Sequence, residues 1–354
     1  MGEVVGMSCS GSTGNDLLRE FLEDKSAEKV LGNFLGTPIL DDPSGRLDDA
    51  AIISIDMEWW QYNSKPVTEI GISELKNKFP SPNVHAHDIL AGVQTAHARI
   101  IPHAHLRNTF RGAGDPEKFE LGTTKFVTKD QAKQVLDTFV RQDQQAPAYL
   151  QPIILVGHAV DNDFEHILSE FDIDLLSYGS IVKVIDTQVM ASAASITGPN
   201  GYRISLTGLL KHFNLTIPNL HSVANDAAGT LMAAVLLALK TTLYPGAGPF
   251  KPPAVVDGND VQEIISTLLT DHKSPEPVWG MKVLCTRCER NSHLRAECFA
   301  KVQCKICRGS GVWRLSNDSR THKASRCLFQ HQALPPPDPV LDAKDFWPLV
   351  PGGW

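Results

Sequence analysis

The sequence predicts an α/β fold, a mixed sheet flanked by helices, followed by a small zinc-binding module. Three observations predict it. Two apolar strand patterns come first, Ala51 to Met57 and Val67 to Ser73. Strand and helix patterns then alternate as far as Leu239, as in a sheet covered by helices. Finally, six of the seven cysteines crowd between Cys285 and Cys327.

Taken in order, the first 14 residues are rich in Gly and Ser and predict no structure. Leu17, Leu18, Phe21 and Leu22, then Val30, Leu31 and Phe34, recur at helical spacing, so two short helices or one bent helix fill residues 1–49. The first two strands are joined by a turn through Asn63, Ser64, Lys65 and Pro66. Residues 76–128 read as irregular and His-rich, with one extended piece from Arg99 to Pro102. Lys129 to Arg141 has helical periodicity, Ile153 to Gly157 is a buried strand, Asp163 to Phe171 a helix and Ile181 to Ile185 a strand. Helices at Ser205 to Phe213 and Val223 to Leu239 close a domain spanning 50–242. A Pro/Gly-rich linker with a candidate helix at Asp260 to Leu269 occupies 243–279, the cysteine module 280–331, and a Pro-rich tail 332–354.

With 354 residues, 42% of them hydrophobic, the chain can bury a core and hold two domains. The N-terminus lacks a basic region followed by an apolar one, and no uncharged apolar run reaches the ~18 residues of a spanning helix. The longest, Ala227 to Leu239, is bounded by Asp226 and Lys240. These features predict an intracellular chain, in nucleus or cytoplasm, with no membrane partner. The net charge of −7 argues against a generally basic nucleic-acid binder, but residues 281–331 hold 11 Lys/Arg against 3 Asp/Glu. That is a local basic footprint on an acidic chain.

Within Ile53-Ser54-Ile55-Asp56-Met57-Glu58, alternation sends Asp56 and Glu58 to the same face of the strand. Neighbouring carboxylates repel unless a cation lies between them. An isolated D-x-E is most often a solvated strand face, and Asp163 or Asp226 alone would be unremarkable acids at helix starts. Their order changes the weighing. Asp163 follows the apolar strand ending Val156-Gly157-His158, at the ligand edge of an α/β sheet. His221 precedes Asp226 by five residues at the opening of the long apolar helix, with Ser222 as its expected N-cap.

The segments SIDME, VGHAVDND and HSVAND together resemble the DEDDh 3′–5′ exonucleases, over roughly residues 50–240. Within that family the chain resembles a fungal branch that includes the Argonaute-partner exonuclease of quelling. The resemblance implies a ribonuclease H-like fold and hydrolysis of single-stranded nucleic acid, RNA favoured over DNA, by a two-metal mechanism. It implies that Asp56 bridges two Mg²⁺ or Mn²⁺ ions, that Glu58 and Asp226 hold the nucleophile-side ion and Asp163 the other, and that His221 is the general base. Hard oxygen donors suit those cations, and imidazole titrates near neutrality. Ala159 departs from the pattern, since many members carry Asn there. The competing reading is a non-catalytic adaptor of RNA silencing or export that keeps the fold.

Trp59 and Trp60 beside the acids are candidates for stacking on a terminal base, with core packing expected of at least one. His85, His87, His97, His103 and His105 lack ligand spacing and are expected to be hydrogen-bonding or substrate-rim histidines.

In the module, Cys285-x2-Cys288-x4-His293-x4-Cys298 has the spacing of a CCHC zinc knuckle. Cys304-x2-Cys307 and His322-x4-Cys327 complete eight ligands for two structural Zn²⁺ ions. Sequential pairing is favoured from spacing, but Cys285, Cys288, Cys304 and Cys307 also fit a four-cysteine ribbon with a crossed second site. Thr286, Glu289 and Ser292 depart from the usual knuckle. Phe299 and Trp313 among Lys/Arg suit a phosphate-tracking surface. Docking of a protein partner through the module or the tail is the other reading.

Overall fold

Alternation along one strand sets the two faces of the sheet. In the computed structural model, β1 (Ala51–Trp60) sends Ile53, Ile55 and Met57 into one apolar core and Ile52 into another on the opposite side. The structure describes residues 14–35, 40–75, 86–141, 150–243, 255–256, 259–260, 266, 268–270, 274–330 and 332–335. Residues 1–13 of the expected unstructured start, the Pro/Gly-rich stretch 244–253 and the tail beyond 335 lie outside them, while Gly14 already belongs to a helix. Two compact units divide at Lys282 and Val283.

In the first unit the main sheet's strands are β1, β2 (Asn63–Leu75), β3 (Val93–Ile100), β4 (Thr124–Val127), β5 (Ile153–Gly157) and β6 (Ile181–Asp186), while Val255–Val256 pairs with Asn259–Asp260, placing Asp260 in a strand where the sequence predicts a helix. Their spatial order is β4-β3-β2-β1-β5-β6. The β1–β2 and β2–β3 pairs are antiparallel; β3–β4, β1–β5 and β5–β6 are parallel. This mixed sheet is ribonuclease H-like. Helices α1 (Gly14–Glu23), α2 (Ala27–Phe34), α3 (Ala86–Ala91), α4 (Lys129–Arg141), α5 (Asp161–Phe171), α6 (Thr187–Ala193), α7 (Leu206–His212) and α8 (Val223–Leu243) complete the unit. Side chains of α4 and α5 pack with Ile53 and Ile55, whereas α1, α2, α6, α7 and α8 share the other core.

Three further sequence expectations need correction. The turn after β1 is at Gln61 and Tyr62, so Asn63 to Pro66 belong to a longer β2. Register shifts around Trp59 accommodate Pro66, which has no N–H to give to a ladder. The irregular segment 76–128 contains α3, β3 and β4. β3 hides its pattern because its inward residues His97 and Arg99 are polar and fully buried, His97 against Glu69 and Arg99 against Glu117 and the Ala104 carbonyl. Finally, residues 274–282, expected as linker and module start, extend the sheet: Phe126 and Met281 exchange two backbone hydrogen bonds of 2.8 and 2.9 Å. Glu276 sits between Lys125 and Lys282, 2.8 Å from each.

The opposite edge is closed by α1. Asn15 donates to the Gly179 carbonyl at 2.8 Å, Arg19 reaches the Ile181 carbonyl, and Lys183 of β6 donates to the last carbonyls of α1. Charged side chains thus blunt an edge strand. By length and composition α8 matches a membrane span, yet it is the central core helix, with Val223–Lys240 94% buried. Full burial of a side chain such as Leu231 or Leu236 contributes about 1.5–3 kcal/mol.

Two rows run across the sheet beneath α8: Glu58–Glu69–Arg99, and Asp56–Gly71–His97–Thr124. Gly71 leaves the gap into which α8 begins. A Cβ there would lie 2.5 Å from the Val223 carbonyl oxygen. Gly71→Ala is therefore expected to destabilise the fold by about 1–3 kcal/mol, because the obstacle is backbone. It should also lower activity by lifting Asp226 off Asp56, both measurable by thermal melting and turnover.

Candidate functional site

Glu58, Asp163 and Asp226 join Asp56 on the wall of one open cavity of about 450 Å³, with His221 at its rim. Strand β1 supplies Asp56 and Glu58 on the α8 side. Asp163, in the first turn of α5, accepts the Met57 N–H at 3.1 Å and so is tied to the strand between the two acids. Asp226, in the first turn of α8, accepts the His221 N–H with both oxygens at 3.1 Å. His221 takes a left-handed φ of 63°, and its Nδ1 lies 3.9 Å from Asp226 Oδ2. Ligand atoms of Glu58, His221 and Asp226 fall within 4.8 Å of one another. Ser222 precedes α8, but its hydroxyl caps nothing and is buried without a hydrogen bond. The Asp226 carboxylate performs the local ordering instead.

Crowding makes these carboxyls reluctant anions. Burial, then Asp163, Asp226, Glu58 and Glu69, holds Asp56 well above the carboxylate range. Glu58 is pushed up to about 8 by burial and then by Glu69 and Asp226. Burial raises Asp163 to about 7 despite the Met57 N–H, and Asp226 to about 7 despite the His221 N–H. Four oxygen-donor side chains that cannot comfortably ionise together fit a hard divalent cation, which reverses that repulsion.

Sequence reading missed two contributors. Glu69, nearly buried, lies opposite Glu58 in the β1–β2 ladder and meets His97 Nε2 at 3.0 Å. His97 Nδ1 in turn bonds Thr124 at 2.9 Å. The alternation of Glu69 with Ile70 and Ile72 carried that signal. Asn108, from the loop after β3, donates to Glu58 Oε2 at 3.2 Å and to the Trp59 carbonyl at 2.9 Å. Its own oxygen accepts the Gln61 N–H at 2.9 Å, and Gln61 accepts the N–H groups of Thr109 and Phe110. No sequence pattern announces such a loop residue. Asn108→Ala should reduce kcat by about 10–100-fold and raise the Mg²⁺ concentration needed for half-maximal rate, the usual penalty for freeing a ligand from its orienting partner.

Trp60 is buried, whereas Trp59 lines the cavity and stacks on His166, with centroids 3.7 Å apart. His158 is a brace: it bonds Thr187 at 2.8 Å and Gln188 at 3.4 Å, and burial lowers its pKa. Since the Thr187 hydroxyl donates to the Gly157 carbonyl, that bond assigns the His158 proton to Nδ1. Ala159 has a φ of 62°, a conformation that Asn tolerates better than Ala. Of the other histidines, His97 and His103 are hydrogen-bonded to Glu69 and to the Val67 carbonyl; His85 and the His87 side chain lie outside the described residues.

In the second unit the ligand atoms of Cys285, Cys288, His293 and Cys298 gather within 4.8 Å, as do those of Cys304, Cys307, His322 and Cys327. The grouping is sequential. Cys288 Sγ lies 3.3 Å from His293 Nε2, and Cys307 Sγ lies 3.6 Å from His322 Nε2 and 3.5 Å from Cys327 Sγ. These are near the ~3.7 Å edge of a tetrahedron with Zn–S bonds of about 2.3 Å, and far from a disulfide. Burial pushes the Cys285 thiol up to about 11 and raises Cys307 and Cys327, whereas Cys288 is lowered, against burial, by hydrogen bonds from the Arg290 backbone and Cys285. Both clusters use the same devices. The first cysteine sulfur accepts the second cysteine's N–H, at 3.4 and 3.5 Å. Each histidine's Nδ1 meets the hydroxyl of the preceding residue, Ser292 or Thr321, leaving Nε2 for the cysteines.

Residues 51–237 match the family model DEDDh_C, described as DNA polymerase III subunit epsilon-like, C-terminal domain. No curated protein matches the chain. Among solved structures it is similar to exonuclease I at 12% identity, covering 54% of this chain and 41% of that one, with a TM-score of 0.37. It is also similar to the RNase domain of the yeast Pop2 protein at 11% identity, covering 69% and 93%, with a TM-score of 0.29. The chain thus spans well under two thirds of exonuclease I.

Proposed function

Because this chain belongs to the DEDDh family of DNA polymerase III subunit epsilon-like nucleases, we propose that it is a 3′–5′ exonuclease of single-stranded nucleic acid, preferring RNA to DNA. The observation that carries the reading is the gathering of Asp56, Glu58, Asp163, Asp226 and His221 around one cavity. Asp56, Glu58, Asp163 and Asp226 would hold two Mg²⁺ or Mn²⁺ ions. Such a pair supplies the charge that activates water and stabilises the departing 3′ oxygen.

The remaining work belongs to the chain's own side chains. His221 accepts the proton of the attacking water on its imidazole, and its backbone N–H bond to Asp226 fixes the loop that carries it. Asn108 orients the Glu58 carboxylate, and Trp59, propped by His166, offers a face on which the terminal base stacks. The RNA preference, like the kinship with the quelling branch, rests on the motif resemblance. The two Cys₃His clusters are read as structural Zn²⁺ sites of knuckle type.

A 5′-labelled single-stranded RNA with Mg²⁺ should shorten progressively to a ladder, remain intact in EDTA, and resist when its 3′ end is blocked. The DNA counterpart should turn over more slowly. Internal cuts, or an unchanged rate on the 3′-blocked strand, would remove the polarity assignment.

A further inference from the structure

Charge is divided unequally between the two units. Residues 1–282 carry 22 Lys/Arg against 34 Asp/Glu, a net of −12, whereas 283–354 carry 11 against 6, a net of +5, and their cysteine-bearing part 283–330 carries 10 against 3, a net of +7. Two Zn²⁺ on six thiolates remove only about two of those positive charges. An acidic nuclease unit repels its own polyanionic substrate, so phosphate attraction must come from elsewhere on the chain.

We propose that the paired knuckles of residues 283–330 form a grip for single-stranded nucleic acid, holding the substrate's phosphates and bases for the catalytic unit. The inference rests on the nuclease reading. Several cations here are committed to the fold. Arg287 donates to the Cys298 and Arg320 carbonyls, joining the knuckles, and Glu289 lies 3.8 Å from both Lys323 and Arg326. Arg290, Lys301 and Lys305 are exposed and make no ion pair among the described residues. The aromatics point the same way. Phe299 is 97% exposed and Trp313 74% exposed, while the small core around the first knuckle consists of Cys285, Cys288, Cys298 and Val302. Phe299 directly follows Cys298, whose carbonyl accepts from Arg287.

Exposed rings on a unit that also carries exposed cations free of ion pairs are what unstacked bases on a phosphate chain require. Duplex bases are already stacked and gain nothing from Phe299. An acidic peptide would answer the charge but not the rings.

The test uses the full zinc-loaded chain carrying Asp56→Asn and a labelled 20-nucleotide single-stranded RNA, with anisotropy read between 50 and 200 mM salt. Combined Arg290→Glu, Lys301→Glu and Lys305→Glu should weaken binding at least about 10-fold. Their loss should flatten the slope of log K against log salt by about 2, at roughly 0.7 per cation. Phe299→Ala should cost about 10-fold with the slope unchanged. Zinc content and melting temperature matching the parent will show that the fold is intact. In the active chain the charge reversals should raise KM for the 20-mer more than for a trinucleotide. RNA affinity and slope unaffected by the reversals overturn the proposal, as does duplex bound as tightly as single strand or an acidic peptide bound in preference to RNA. Should the parent chain hydrolyse nothing while the reversals still abolish RNA binding, the nuclease reading falls and the grip stands.

Discussion

Asp56→Asn is expected to abolish hydrolysis and, in the same molecule, to raise the melting temperature of the chain freed of divalent cations at pH 8. The loss of activity should be at least about 10²–10³-fold, since a charged group central to the site is replaced by an isosteric neutral one. The gain in stability follows from the repulsion that holds Asp56, Glu58, Asp163 and Asp226 above the carboxylate range. A carboxyl whose folded pKa exceeds its unfolded one favours the fold while protonated. That contribution is complete below about pH 4 and lost as pH rises through the folded values of about 7 and about 8. The cation-free parent should therefore melt progressively lower from pH 5 to pH 8.5. Asp56→Asn removes one of the four repelling charges and should flatten that decline. Each 1 kcal/mol recovered corresponds to about 2–4 °C for a unit of this size. Mg²⁺ should raise the melting temperature of the parent more at pH 8 than at pH 5.5, and that of the variant much less at either pH. Scanning calorimetry across this range reads all three effects.

Cys307→Ser should unfold the second unit while sparing the first. Cys307 is buried in its cluster, 3.5 and 3.6 Å from Cys327 and His322, and the apolar core of this unit is small. A module of about 50 residues cannot stabilise itself by burial alone, and structural Zn²⁺ contributes about 10–16 kcal/mol of apparent binding free energy. Bound zinc, measured by mass spectrometry, should fall from two per chain to one or none, and limited proteolysis should cut within 283–330. The first unit's melting transition should persist, because its core is built from its own helices and sheet. Zinc content and protease resistance equal to the parent would show that these ligands are ordinary buried cysteines.

How far the sequence reveals this molecule depends on what each segment buries. Strand β1 and helices α4 and α5 are legible through apolar residues at period 2 or 3.6, and β5 and α8 as continuous apolar runs buried on all sides. β3 is opaque for the opposite reason: His97 and Arg99 are buried and polar, made tolerable by Glu69 and Glu117 on other segments. The acids of the site stand out through their order along the chain, and the structure brings all of them to one cavity. Asn108 does not stand out, since its meaning lies in a contact across 50 residues, and the alternation around Glu69 marks a strand face without revealing its bond to His97, 28 residues away. The pairing of the zinc-type ligands is undecided by spacing, which two arrangements satisfy. It is decided by the Cys-x2-Cys turns, each closed by an N–H to sulfur bond, and by the His-x4-Cys segments that fold back on them.

The claim on which the rest depends is that four acids form a cage for a pair of hard cations, with the His221 imidazole beside it to take a proton. Mn²⁺ binding to the zinc-loaded chain at pH 7.5, followed by electron paramagnetic resonance, tests it directly. The account predicts two equivalents bound by the parent and at most one by Asp56→Asn. Equal Mn²⁺ uptake by the parent and the variant would contradict it.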